Sequence, residues 1–437
     1  MADSGQKLYI QARRIIPGGT QLLSKRPELF LPEQWPSYYL HAKGVEVWDI
    51  DGNKYVDMSH MGVGACILGY SDPDVDAAAR TAIDSGTMTT LNCPEEVELA
   101  ELLCELHPWA DMVRYARTGG EAMAIAVRIA RAQTRKDKVI FSGYHGWHDW
   151  YLAANLGEKD ALDGHHLPGL KSAGVPRCLK NTALPFHYNK IEELKALVSQ
   201  YKDEIATIVV EPIRNYEPSP GFLEEVREIA TDLKAVLIFD EISSAWRLAT
   251  GGAHILYGVN PDISVFAKAM SNGYLMAAII GISDIMQAAQ DSFISSTYWA
   301  EKIGPVAALA TIRKHQLNNV ADHLIATGKL VKSGWESAAT RHGLQITTNG
   351  IPPLAHFNFN YPNGQAVRTL FTQEMLGKGF LATNVFYASW AHRDRYVKDY
   401  LEAVDETFAL VARAIKVNEV SKLLKGPVAH SGFSRLT

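Results

Sequence analysis

Three continuous apolar runs, Ile205-Ala-Thr-Ile-Val-Val210, Ala235-Val-Leu-Ile-Phe239 and Ile263-Ser-Val-Phe266, are each followed within two residues by an ionisable side chain. These are Glu211, Asp240 and Lys268. Unbroken β-rich runs suit strands covered on both faces, and the helical pattern over 222–233 supplies a crossover between two of them. The chain is therefore restricted to an α/β architecture with a mainly parallel, doubly covered sheet over about residues 60–300. In such sheets ligands gather at the carboxyl ends of the strands, which is where the three ionisable residues stand.

The same alternation extends upstream. Residues 96–106 read as a helix, 112–116 as a strand, 121–133 as a helix and 138–141 as a strand. An amphipathic opening over 8–16 ends at Pro17-Gly18-Gly19, and 44–57 alternates about an Asp-Gly pair in a hairpin pattern. After Ala307 a long helical stretch leads to a strand over 353–359 and a helix over 395–417, the elements of a smaller second region. The expected division is 1–60 as an N-terminal cap of the small domain, 61–310 as the ligand-binding large domain and 311–437 as the C-terminal small domain.

With 437 residues and 47% hydrophobic content the chain can bury a large core. A net charge of -5 provides no field for nucleic acid or anionic lipid, so small molecules are the expected ligands. No stretch offers the roughly 20 nearly uncharged residues of a membrane span, and a cytoplasmic protein is expected. The four cysteines lack metal-type spacing and read as core thiols, while His145 with His148 and His165 with His166 lack the setting of a zinc site. No metal is expected.

Chemistry is carried by four strand exits. Arg117-Thr118-Gly119-Gly120-Glu121-Ala122 opens a helix with two glycines, which lets backbone amides approach an anion such as a phosphate. Phe141-Ser-Gly-Tyr144-His145-Gly146-Trp147-His148-Asp149-Trp150 offers Tyr144 as a surface on which a planar heterocycle could stack. Asp240, delivered by an apolar strand, requires a cationic partner, and a protonated pyridine nitrogen would supply it. Lys268, beside an apolar strand, loses hydration of its ammonium form, which makes the neutral nucleophilic amine accessible for a Schiff base.

The ordered set Thr118-Gly119-Gly120-Glu121-Ala122, Tyr144-His145-Gly146, Glu211-Pro212, Asp240-Glu241-Ile242 with Arg247, Ala267-Lys268 and Ser296-Thr297 resembles the class III pyridoxal-phosphate-dependent aminotransferases, and within them the glutamate-1-semialdehyde aminomutase-like proteins. The resemblance implies a fold-type I enzyme using pyridoxal 5'-phosphate. Lys268 would bind the cofactor as a Schiff base and shuttle the proton. Asp240 would pair with the pyridinium nitrogen, Ile242 would pack under the ring and Tyr144 would stack over it. Gly119 and Gly120 would hold the phosphate, and Thr297 would reach the phosphate of the neighbouring subunit of a homodimer.

Arg247 reads as either a structural salt-bridge residue or a site residue, and Glu211 as either a contact of the cofactor's surroundings or an organiser of the loop begun by Pro212. Ser24-Lys25-Arg26 falls where the aminomutase has a carboxylate-binding arginine, and Val63 where it has a pocket tryptophan. Its Gly-Thr-Leu-Ser-Gly-Asn-Pro run is replaced by Ser295-Ser296-Thr297-Tyr298-Trp299. These departures suggest a pocket walled by Trp147, Trp150, Tyr298 and Trp299. The expected reaction moves an amino group from an amine donor to a carbonyl acceptor by a ping-pong route. Alternatives are an intramolecular 1,2-aminomutase, with closure of the 153–180 segment, and a non-catalytic cofactor-binding protein.

Overall fold

The computed structural model describes residues 4–165 and 167–433. Two compact units emerge, Pro73–Ala321 and the pair Met1–Asp72 with Asp322–Thr437.

The first unit is built on seven strands: β1 (Met112–Ala116), β2 (Lys138–Ser142), β3 (Ala183–Pro185), β4 (Ile205–Val210), β5 (Val236–Asp240), β6 (Ile263–Phe266) and β7 (Ala277–Gly281). Their order is β1-β7-β6-β5-β4-β2-β3. The five strands from β6 to β3 run parallel, and β7 is antiparallel to both β1 and β6. Strand side chains alternate between faces, so Val209, Ile238 and Val265 join one buried cluster while Ile208, Val210, Leu237 and Phe239 join another. Helix α1 (Gly119–Thr134) covers the first face with Ala122, Met123, Ala126 and Ile129. Helix α2 (Phe222–Leu233) covers the second with Phe222, Leu223, Val226 and Ala230.

The expected doubly covered sheet is therefore present, with one addition. That addition is β7, Ala277-Ala-Ile-Ile-Gly281, which runs antiparallel between β1 and β6. Asp240 is itself the last residue of β5, so the strand places its carboxylate directly at the sheet edge.

In the second unit the hairpin Glu46–Asp49 and Lys54–Asp57 forms as expected. The Asp49 carboxylate closes its turn by accepting the amides of Asp51 at 3.0 Å and Asn53 at 2.8 Å, and Gly52 takes a φ of +85° that favours glycine. Strand Tyr39–Lys43 flanks the hairpin on one side and Phe380–Leu381 on the other. A second sheet joins Ile346–Asn349, Leu354–Phe359 and Val385–Tyr387, and the long helix Asp394–Lys416 covers the expected 395–417 pattern. Val63 lies in a run, Met61 to Gly64, in which all four residues have positive φ, a costly backbone for a β-branched side chain.

Among the described residues no helix is long and apolar enough to cross a membrane. Cys178 is exposed and Cys66, Cys93 and Cys104 are half-buried, so the cysteines are not the core thiols expected. His166 lies outside the described residues.

Candidate active site

The carboxyl ends of β2, β4, β5 and β6 and the start of α1 supply the site. At the end of β5 the Asp240 carboxylate is 3% exposed, and each of its oxygens already has a fixed donor. His145 Nδ1 donates to Oδ2 at 2.8 Å and the Ile242 amide donates to Oδ1 at 3.1 Å. Two donors on separate oxygens fix the plane of the carboxylate, and a further N–H or cation can still be accepted by its remaining lone pairs. His145 Nε2 is buried without a protein partner. Sequence pattern alone assigns His145 no role; the available signal is its place between a strand exit and Gly146, whose φ of +102° turns the chain back.

Lys268 follows β6 by two residues and stands in left-handed backbone, φ +47°, a conformation that a non-glycine residue keeps only where its surroundings enforce it. Its Nζ donates to Ser243 Oγ at 2.8 Å. Burial lowers its pKa from 10.5 to about 7, and the guanidinium groups of Arg214 and Arg247 push in the same direction, against the attraction of Asp240. Near neutral pH a large fraction of this amine is therefore unprotonated and nucleophilic. Ser243, which the sequence reading missed, comes from the same turn as Ile242.

Arg214 was also missed. Its Nη1 meets Glu211 Oε1 at 2.8 Å, and Glu211 Oε2 accepts the Tyr144 amide at 3.1 Å. Glu211 thus holds the Tyr144 backbone in place, a wider part than organising the loop after Pro212. A Cβ on Gly143 would sit 2.6 Å from the same carboxylate, which explains the glycine before Tyr144. The Tyr144 ring meets Tyr151 edge to face at 5.9 Å, and burial raises its hydroxyl pKa. Arg247 is 1% exposed and its Nε donates to the Ser243 carbonyl at 2.8 Å, so part of its work is to brace the turn that carries Ser243.

At the start of α1, Gly119 and Gly120 sit where larger residues would collide. A Cβ at Gly119 would lie 2.8 Å from Ile242 Cδ1, and one at Gly120 would lie 3.1 Å from His148 Nδ1. That nitrogen is buried without a partner. The first amides of a helix have no intrahelical acceptors, so this turn presents donors and a positive dipole end to any anion placed there. A phosphate fits the cradle, a protonated ring nitrogen fits Asp240, and a carbonyl carbon fits the Lys268 amine. The residues present therefore suit a pyridine aldehyde phosphate.

Thr297, expected to serve the neighbouring subunit, is exposed at the start of a short turn, Thr297–Ala300. The aromatic residues expected to wall a pocket are dispersed. Trp150 belongs to the buried core with Phe141, so it does not line a pocket; as a large ring in a mostly apolar helical turn it found better burial beneath the sheet. Trp299 is half-buried against that core, whereas Trp147 and Tyr298 are each 69% exposed. Arg26 packs beside Gly18, where a Cβ would meet its Nη2 at 2.5 Å, and over the Phe433 ring at 5.8 Å.

Residues 32–352 match the family described as aminotransferase class-III. A 3-aminobutyryl-CoA aminotransferase of Cloacimonas acidaminovorans (strain Evry) is 33% identical over 423 residues, 93% of this chain and 97% of that protein. The structure of the PLP internal aldimine form of the Sphingopyxis sp. MTA144 FumI protein superposes with a TM-score of 0.86 at 25% identity, covering 95% of this chain and 98% of that one. An omega-transaminase from Sphaerobacter thermophilus superposes with a TM-score of 0.82 at 25% identity, covering 94% and 98%. The mostly parallel seven-stranded sheet with its terminal small domain is thus the fold-type I arrangement, and the chain belongs to the class-III aminotransferases, which transfer amino groups with pyridoxal 5'-phosphate.

Proposed function

We propose that Lys268 and Asp240 are the catalytic residues of this transaminase. The half-buried Lys268 amine, two residues past the strand that pairs with the one ending in Asp240 and with its pKa lowered to about 7, is the observation that carries the assignment. Pyridoxal 5'-phosphate, when bound, supplies an electron sink for the pair of electrons left when a proton departs the amino-bearing carbon. Lys268 Nζ would hold the cofactor at its carbonyl carbon, and once free the same amine would be placed to take that proton and to return one. Asp240 holds the ring nitrogen's proton, with His145 and the Ile242 amide fixing its carboxylate. Gly119 and Gly120 would hold the phosphate, and Ile242 and Tyr144 would hold the ring.

The second half of the proposal is the assembly. Leu91, Leu275, Phe293 and Tyr298 are exposed by 81%, 67%, 88% and 69%, apolar surface that the chain itself leaves uncovered. A second copy of the chain covers it, and Thr297 reaches the partner's phosphate site.

The reaction is intermolecular, and the amino group moved stands on carbon 3 of a short acyl chain. The 33% identity with the 3-aminobutyryl-CoA aminotransferase supports this class. The intramolecular aminomutase remains the competing reading, favoured only by the shared motifs of the cofactor frame. To decide, the holoenzyme is given a 3-amino acyl donor with and without a 2-keto acid. Amino transfer that requires the keto acid is expected; turnover of glutamate 1-semialdehyde with no second substrate would defeat the proposal.

A further inference from the structure

Arg117 lies between the end of β1 and the first turn of α1, directly before Thr118-Gly119-Gly120. Its backbone belongs to the helix cap, because the amides of Arg117 and Thr118 both donate to Glu121 Oε2, at 3.0 and 3.4 Å. Its side chain runs the other way. Nη2 donates to the carbonyls of Trp299 at 2.8 Å and Glu301 at 2.7 Å, on either side of the end of the Thr297–Ala300 turn. Nη1 adds bonds to the Ala116 carbonyl at 3.2 Å and Met276 Sδ at 3.3 Å. The far side of the turn is locked as well. Glu301 accepts the amides of Ile303 at 2.7 Å and Gly304 at 3.2 Å, anchoring it to helix α3 (Ile303–Leu317), and a Cβ on Gly304 would stand 3.5 Å from Arg117 Cζ.

One side chain therefore joins the glycine turn at the head of α1 to the turn that carries Thr297. Arginine suits this because its planar group offers a fixed fork of donors, whereas a lysine ammonium is a single compact charge on a mobile stem. We infer that Arg117 is a positioning residue that couples the two phosphate sites of the homodimer, so that filling one favours filling the other. This rests on the proposal that Thr297 serves the partner's phosphate. Given that, a cofactor that orders Gly119 and Gly120 in one protomer also orders, through Arg117, the turn by which that protomer completes its partner's site. Two-fold symmetry repeats the link in the opposite direction, and the coupling is reciprocal.

The test titrates the full-length protein, stripped of cofactor, with pyridoxamine 5'-phosphate, which forms no bond to Lys268, and follows tryptophan fluorescence. The wild-type dimer is expected to bind with a Hill coefficient above 1 and second-site affinity raised about 5-fold or more. Arg117→Met should bring the coefficient to 1 while sedimentation still reports a dimer, and Arg117→Lys, which keeps the charge and one donor group, should give an intermediate value. Non-cooperative wild-type binding, or cooperativity that survives Arg117→Met in a folded dimer, overturns the coupling. A monomeric protein, or Thr297→Ala with unchanged cofactor affinity, overturns the dimer proposal and the coupling with it, and is a distinct result.

Discussion

At the strand exits of the large unit, charged groups are buried and held. Glu241 is fully buried, yet its carboxylate accepts Ser244 Oγ at 3.3 Å, the His254 amide at 3.4 Å, the Ala253 amide and the His254 ring. Asp240 beside it has two fixed donors and lone pairs to spare. The exposed rings of Trp147, Phe293 and Tyr298, together termed the rim, show the reverse: large side chains exposed by 69%, 88% and 69%. Buried charge is stable only with its partners in place, so the strand exits must be finished by the chain itself, apart from the position left for the cofactor. An exposed apolar rim is finished by something else, either a second copy or a substrate.

The largest effect should come from the strand exits. Lys268→Ala removes both the nucleophile and the proton carrier, and kcat should fall by about 10⁴-fold or more, with loss of the borohydride-reducible bond to the cofactor. The amine's lowered pKa adds a pH signature. Only the neutral form attacks a carbonyl, so the rate at which cofactor-free protein captures pyridoxal 5'-phosphate should rise with pH, with a midpoint of about 7. Between about 7 and 10.5 the unfolded chain binds the proton that the folded chain releases, so the same group should make folding stability rise with pH across that window. A capture midpoint near 10.5 would mean that the amine is not held as the structure places it.

Asp240→Asn should cost less, about 10²- to 10³-fold in kcat, because the ring nitrogen loses its anionic partner but the lysine stays. His145→Gln removes one charge-assisted hydrogen bond to that partner, worth about 1.5–3 kcal/mol, and should lower kcat by about 10- to 100-fold with a smaller change in KM. Equal losses in the two variants would show that the histidine does more than orient the carboxylate.

The strand exits were also the legible part of the sequence. Asp240, Lys268, Gly119 and Gly120 stand at the ends of uninterrupted apolar runs or at the head of a periodic helix, where local pattern alone fixes the position. His145 and Ser243 were not legible as site residues, because each acts through a partner far along the chain, His145 with Asp240 across 95 positions and Ser243 with Lys268 across 25, while Arg214 is paired locally with Glu211 and stands in no recognisable motif. Ring count misled at Trp150: aromatic content says nothing about which face of a turn is buried. Thr297 was found only through resemblance, since an exposed threonine in a short turn carries no local pattern that marks it.

Gly119→Ala tests the seam between the two regions. The added methyl would press on Ile242 Cδ1 at 2.8 Å, and overpacking of this kind costs about 1–3 kcal/mol. If Ile242 holds the ring while Gly119 holds the phosphate, the cost falls on cofactor binding. Affinity should weaken about 10-fold, measured by equilibrium dialysis, and kcat at saturating cofactor should change little. A variant with unchanged affinity would separate the glycine turn from the phosphate.

The smallest effect is expected at the rim, and it is the one that decides what the rim is for. Tyr298 is exposed and buries little within its own chain, so Tyr298→Ala should change folding stability by no more than about 0.5 kcal/mol and leave the cofactor absorbance as it is. What remains is a choice between two coverings. If the second copy covers Tyr298, removal of the ring takes apolar area from the interface, and sedimentation should show the dimer dissociating at higher protein concentration while the ratio of kcat/KM values for two donors of different size stays constant. If substrate covers it, the dimer holds and that ratio shifts. The first outcome is the one expected, because the proposed reach of Thr297 to the partner's phosphate already sets the Thr297–Ala300 turn, and Tyr298 with it, against the second copy.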